Sequence, residues 1–139
     1  MRLHNAYITA AVHCAPPGNK PTREEILTCR NHLERELDLL ENVKVVVALG
    51  RVAFDDYLSI LRKRGVISRR AGFVFGHIRA FFPGPGQPVL ISSYHPSQQN
   101  TQTGKLTQKM FAAVFRQANR LLGQQSRRRS APPPKGAVR

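Results

Sequence analysis

Beyond Asp56 the sequence contains no carboxylate. All eight acidic residues fall in the first 56 positions, beside seven of the 22 Lys and Arg residues, which leaves that segment at −1. Residues 57–139 hold the other 15 basic residues and stand at +15. The second half therefore has no Asp or Glu to act as a general base. A field of one sign on this scale implies an anionic polymer, nucleic acid first, as the partner. Cysteine is also scarce. Cys14 and Cys29 are the only two, and two thiols do not make a disulfide framework. No apolar run approaches the roughly 20 residues that cross a bilayer, which excludes a transmembrane helix and a membrane partner. The N-terminus lacks a basic region followed by an apolar stretch, so no secretory leader is expected and the cytoplasm is the expected location.

What is present suits one globular domain: 139 residues, 41% of them hydrophobic. Residues 6–13 read as a first strand, and the loop 14–21 has three prolines and a glycine. From Thr22 a helix carries Ile26, Leu33, Leu37 and Leu40 on one face. Lys44-Val-Val-Val-Ala-Leu-Gly50 is a short β-branched run ending in glycine, the pattern of a buried parallel strand. A second helix runs from Arg51 to about Arg64, with Phe54, Leu58 and Leu61 inward and Gly65 as its stop. Residues 66–82 fit an edge strand or a hairpin. A third helix spans Leu106 to Leu122, its apolar stripe Leu106, Met110, Val114, Ala118 and Leu121, and Gly123 ends it. Residues 1–123 thus form the domain, and 124–139 read as a disordered basic tail. Strands alternating with helices give an α/β fold, a three-layer α/β/α sandwich around a short, mostly parallel sheet.

One stretch stands out. Pro88-Val-Leu-Ile-Ser-Ser stops at His95-Pro96. Pro96 has no N–H for a ladder and restrains His95 to an extended backbone. An imidazole is thereby fixed at the carboxyl end of a strand, followed by Ser97-Gln98-Gln99-Asn100. In open α/β sheets that edge is where ligands bind.

Three segments, Tyr7-Ile-Thr-Ala-Ala-Val-His-Cys-Ala-Pro-Pro-Gly-Asn-Lys-Pro-Thr22, Val45-Val-Val-Ala-Leu-Gly50 and His95-Pro-Ser-x-x-Asn-x-x-Thr-Gly-x-Leu106, resemble the uracil-DNA glycosylase superfamily, and within it the type-5, iron–sulfur-containing branch. The resemblance covers about Leu3 to Leu122 and implies base excision repair of DNA containing uracil by a monomer. It implies that His95 donates to O2 of a flipped uracil and stabilises the departing anion. It implies that Ser97, Gln98, Gln99 and Asn100 form a loop entering the minor groove, with Lys105 beside it. It further implies that Cys14 and Cys29 are two of four thiolate ligands of a [4Fe–4S] cluster. Where related branches place an Asn to read the uracil edge this chain has Ala10, and Asn19 in the next loop is the substitute candidate.

The family's Gly/Ala/Pro-rich water-binding motif and its first two cluster cysteines have no counterpart in this sequence. The expectation is a truncated chain with little or no activity, or a non-catalytic nucleic-acid-binding remnant of the fold. Asp55 and Asp56, in the first turn of a helix, read as dipole partners and not as bases. Arg62, Lys63, Arg64, Arg69, Arg70, Lys105 and Lys109 are candidates for phosphate contact.

Overall fold

The computed structural model describes residues 6–9 and 22–130, with residues 25–27 and 125–130 described by their backbone alone. In order along the chain come α1 (Arg23–Leu39), β1 (Val45–Leu49), α2 (Arg51–Lys63), β2 (Arg79–Phe81), β3 (Val89–Ser93), α3 (Gln98–Gln102) and α4 (Gln108–Ser130). The β-branched Val45–Val47 start β1, which pairs in parallel with β3 from Val45↔Val89 to Leu49↔Ser93. The short β2 adds to the other side of β3, antiparallel, giving the order β1-β3-β2. The sheet is mixed, with one parallel and one antiparallel pairing, because residues 66–82 fold back as an edge strand. The central β3 is buried along its whole length, which is why it reads as an uninterrupted apolar run.

Side chains alternate across the sheet and build two cores. Val46, Ala48, Leu90 and Phe81 face α2, where they meet Phe54, Tyr57, Leu58 and Leu61. Val45, Val47, Ile91 and Ala80 face α4, where they meet Val114, Ala118 and Leu121. With α1 packed on α2, the α/β/α sandwich read from the sequence is present. Phe54 anchors the first core. It is 1% exposed, with the Phe75 and Phe81 rings each at 5.5 Å, and burial of such a side chain contributes about 2–3 kcal/mol. A cavity of about 210 Å³ lies at the amino edge of the sheet, lined by Leu37, Val46, Tyr57, Leu61, Arg64 and Pro88 among others. Burial there pushes the Tyr57 hydroxyl up to about 12.

The two glycine stops behave differently. Gly65 takes φ +74°; its N–H reaches Arg62 O at 3.1 Å and the Val66 N–H reaches Leu61 O at 2.9 Å. Those paired bonds close α2 in a Schellman motif, with Val66 packing back on the core. Gly123 does not take a positive φ, and α4 continues through it to Ser130. The expected helix end at Gly123 and the disordered tail from residue 124 are therefore corrected as far as Ser130; residues 131–139 lie outside the described residues. A mid-helix glycine costs only about 1 kcal/mol, and the Gln and Arg residues that follow are good helix formers. At its other end α4 starts at Gln108 and not Leu106, because Thr107 Oγ1 accepts from Met110 N at 3.1 Å and caps the first turn.

The expected strand at residues 6–13 is also corrected for its first part. Residues 6–9 are exposed and outside any strand, and the Thr9 hydroxyl donates to the Glu36 carboxylate instead. Residues 10–13 lie outside the described residues.

Layer packing buries one charge. Asp56 is 1% exposed and accepts from Arg30 Nε through Oδ1, while Oδ2 has no partner among the described residues. Desolvation raises the Asp56 pKa above its usual 3.8, and the hydrogen bond and charge of Arg30 pull against that rise. For a carboxyl raised in the folded state, stability falls as pH rises from the unfolded value through the folded one. Removing Arg30 moves Asp56 further up. Arg30→Ala is expected to cost about 2–4 kcal/mol at about pH 7, where it strands a buried charge, and clearly less at about pH 5. Urea unfolding midpoints at the two pH values check this; an equal loss at both contradicts it.

Candidate active site at the carboxyl edge of the sheet

The parallel strands β1 and β3 end side by side, and the chain leaves them in different ways. From β1 it turns through Gly50, φ +94°, straight into α2; the Gly50 N–H donates to Ser93 O at 2.8 Å. From β3 it passes Tyr94 to His95 and Pro96. The two exits meet. A Cβ on Gly50 would lie 3.1 Å from His95 Cβ and 3.4 Å from its Cδ2. Glycine is thus required twice, for its backbone conformation and for the room it leaves the imidazole. His95 itself is exposed, and no described residue hydrogen-bonds its ring. It stands over the start of α2, where Gly50 supplies no side-chain cap. The first N–H groups of that helix thus get no cap from the N-cap side chain, and they form the positive end of the helix dipole.

A loop of short-range bonds fixes the His95 backbone. Asn100 Nδ2 donates to His95 O at 2.9 Å, and the Ser97 N–H donates to the same carbonyl at 2.8 Å. Ser97 Oγ accepts from Asn100 N at 3.2 Å and caps α3, a short helix where the sequence pattern predicts only a loop. The Leu106 N–H reaches back to Asn100 O at 2.9 Å. Ser97 and Asn100 are therefore spent on shaping the loop, whereas Gln98 and Gln99 are exposed at its tip. Lys105 returns to the base of the loop and lies 4.9 Å from the centre of the Tyr94 ring, a cation–π contact.

Below His95 sits a histidine that sequence reasoning missed. His77 Nδ1 accepts from Tyr94 N at 3.3 Å, so that nitrogen is bare. The proton belongs on Nε2, which lies 3.2 Å from Met110 O. The ring also stacks on Tyr94 at 5.0 Å. One side chain thus ties the end of β3 to the start of α4. The turn that carries it is strained, since Ile78 holds φ +54°, a conformation β-branched residues avoid. Two bonds to β3 hold that turn: Ile78 N to Ser92 O at 2.9 Å and Ser92 Oγ to Gly76 O at 2.5 Å. The only sequence signal was an unassigned histidine before a short strand.

Several phosphate candidates are committed elsewhere. Lys63 pairs with Glu34 at 3.0 Å, Arg64 with Asp38 at 2.8 Å, and Arg70 with Asp55. Asp55 also faces Arg51 at 3.6 Å. Asp55 and Asp56 lie beyond the first turn of α2, which holds no acid, so their expected role as dipole partners is corrected: both are held in ion pairs with arginines instead. Of the two cysteines, Cys29 is buried on α1, 5% exposed with a free thiol, and Cys14 lies outside the described residues, as does Asn19. An iron–sulfur cluster takes four thiolates. Two cysteines do not complete that set, and the described residues contain no group of three or more metal-ligating side chains.

Gly50→Ala is expected to cost about 2–3 kcal/mol, combining positive-φ strain with the contact against His95. Gly65→Ala, at φ +74° with nothing within 4 Å of the added methyl, is expected to cost about 1 kcal/mol. Equal unfolding free energies for the two variants would show that the His95 contact carries no weight.

The sequence model of the uracil DNA glycosylase superfamily matches residues 2–119. A type-5 uracil-DNA glycosylase of Thermus thermophilus is 49% identical over 123 residues, 88% of this chain and 53% of its own length. One from Mycobacterium leprae is 44% identical over 125 residues, 88% of this chain and 52% of its own. A type-4 enzyme of Archaeoglobus fulgidus is 36% identical over 100 residues, 70% of this chain and 47% of its own. The chain spans about half the length of these curated relatives.

Proposed function

The chain belongs to the uracil-DNA glycosylase superfamily, and from that membership we propose that its carboxyl-edge site takes a flipped uracil and stabilises it as a leaving group. The observation that carries the reading is the exposed imidazole of His95, without a ring hydrogen bond among the described residues, set against Gly50 at the start of α2 and held through its carbonyl by Asn100. In the reaction the C1′–N1 bond breaks and its electron pair departs with the base. His95 donates an N–H to uracil O2, where part of that negative charge collects, and the dipole of α2 favours the same charge. Water adds to C1′, and the proton it loses ends on the departed uracil anion, giving neutral uracil and the C1′ hydroxyl. We assign that proton to neither Asp55 nor Asp56, since both are engaged by arginines.

The substrate is DNA, read by extrusion of the base at an unstacking cost of a few kcal/mol. We assign Gln98 and Gln99 to fill the gap, a role their exposure at the tip of the loop supports, and Lys105 at its base to a backbone phosphate. Asn100 and Ser97 support them from within the loop. A second reading, a nucleic-acid-binding domain without turnover, is favoured by the ion pairing of the last two carboxylates in the sequence.

The wild-type chain is expected to bind a single strand containing one uracil more tightly than its thymine counterpart, with His95→Ala abolishing the difference. Equal affinity of the wild type for both strands overturns the reading. Under single-turnover conditions any uracil release is expected to fall about 10²–10³-fold in His95→Ala. Release that survives the substitution removes His95 from the reaction, and binding preference without release selects the second reading.

A further inference from the structure

The outer face of α4 carries a row of cations that the site does not use. Lys109, Arg116 and Arg120 are all exposed. At about 100° per residue they fall within ~40° of one another on the helix, roughly 140° from the line of Val114, Ala118 and Leu121 that packs on the sheet. The row therefore points away from the protein. It rises ~16 Å from Lys109 to Arg120, and Arg116 and Arg120 stand one turn, ~6 Å, apart. No carboxylate follows Asp56 in the sequence, and among the described residues none pairs with these three. The Arg120 guanidinium donates to the Gln117 amide oxygen, which steadies it without neutralising it. The contrast with the other side of the molecule is sharp: at the end of α2, Lys63 and the following Arg64 are each matched by an acid of α1.

We propose that this face of α4 is a second nucleic-acid surface, gripping backbone phosphates of duplex DNA away from the base held at His95. Helix stability does not account for the row, since cations help a helix in its last turn and these three lie in its first and middle turns. A lipid surface is disfavoured because a membrane-lying helix turns its apolar face outward, and the apolar face of α4 is buried on the sheet. An unneutralised cationic row with no base-reading geometry suits the phosphate backbone, which is bound without regard to sequence. The proposal extends the glycosylase reading but does not need it, because the surface takes undamaged duplex equally well.

The test separates the two. Arg116→Gln/Arg120→Gln keeps helix propensity and removes two charges from the row. Arg23→Gln/Arg35→Gln removes two exposed charges from α1, in the opposite layer. Circular dichroism and unfolding midpoints confirm that both variants fold. Fluorescence anisotropy with an undamaged, uracil-free duplex of about 20 base pairs is then recorded over a range of potassium chloride. Each arginine removed takes away one phosphate interaction and the counterion release that accompanies it. The α4 variant is therefore expected to flatten the slope of log K against log salt by about 2 and to bind at least about ten-fold more weakly near 0.1 M salt. The α1 variant is expected to keep the wild-type slope. Equal changes in both variants would reduce the effect to net charge and overturn the proposal. So would an unchanged slope in the α4 variant, or an α4 variant that loses binding only to anionic phosphatidylglycerol vesicles. Loss of uracil preference in His95→Ala bears on the glycosylase reading alone.

Discussion

The close approach of Gly50 and His95 is the constraint on which the site depends. Two parallel strands end together, and glycine at the first exit lets the second lie against it; an added Cβ would press on His95 at 3.1 Å and force it to give by a few tenths of an ångström. The same residue opens α2 without a side-chain cap, so the imidazole is seated at the start of that helix. The placement of the histidine at the start of α2 thus comes from a single backbone feature. It follows that the site is built from the strand ends and not from the loop, whose internal bonds serve to hold what the strands have already placed.

Charge is divided across the molecule in a way that explains both its cohesion and its bare surface. Glu34 and Asp38 of α1 and Asp55 and Asp56 of α2 pair with Lys63, Arg64, Arg70 and Arg30, contacts that join the two helices to each other and to the segment that follows α2. These are mostly exposed pairs, each worth well under about 1 kcal/mol except where Asp56 is buried. The opposite layer, α4, contains no acid, and none of the ion pairs among the described residues involves it. What remains on it is a positive field in the part of the chain that follows directly on the His95 loop.

Beneath the visible site lies a support that local patterns do not announce. His77 joins β3 to α4 through both ring nitrogens, from a turn in which Ile78 is forced to positive φ. Such strain costs on the order of 1–3 kcal/mol and persists only where neighbours over-determine it; here Ser92 supplies two of the bonds. His77 is separated by 17 residues from Tyr94 and by 33 from Met110, and so nothing in its immediate sequence points to either.

Much of this fold and of its site was legible in the residues themselves. The apolar run 88–93, the β-branched run 45–49 and the stripes of the three long helices specify their elements, because burial periodicity is a property of the chain. Pro96 and Gly50 mark where the strands must stop, and His95 follows from them. Gly65 and Gly123 show where such reading fails, since one glycine takes a positive φ and ends a helix while the other lets it run on. Which exits meet, which cations find an acid and which histidine carries the next strand were decided only by tertiary structure. Those are contacts between residues far apart in sequence, and composition and spacing fix what a side chain is able to do without fixing what it meets.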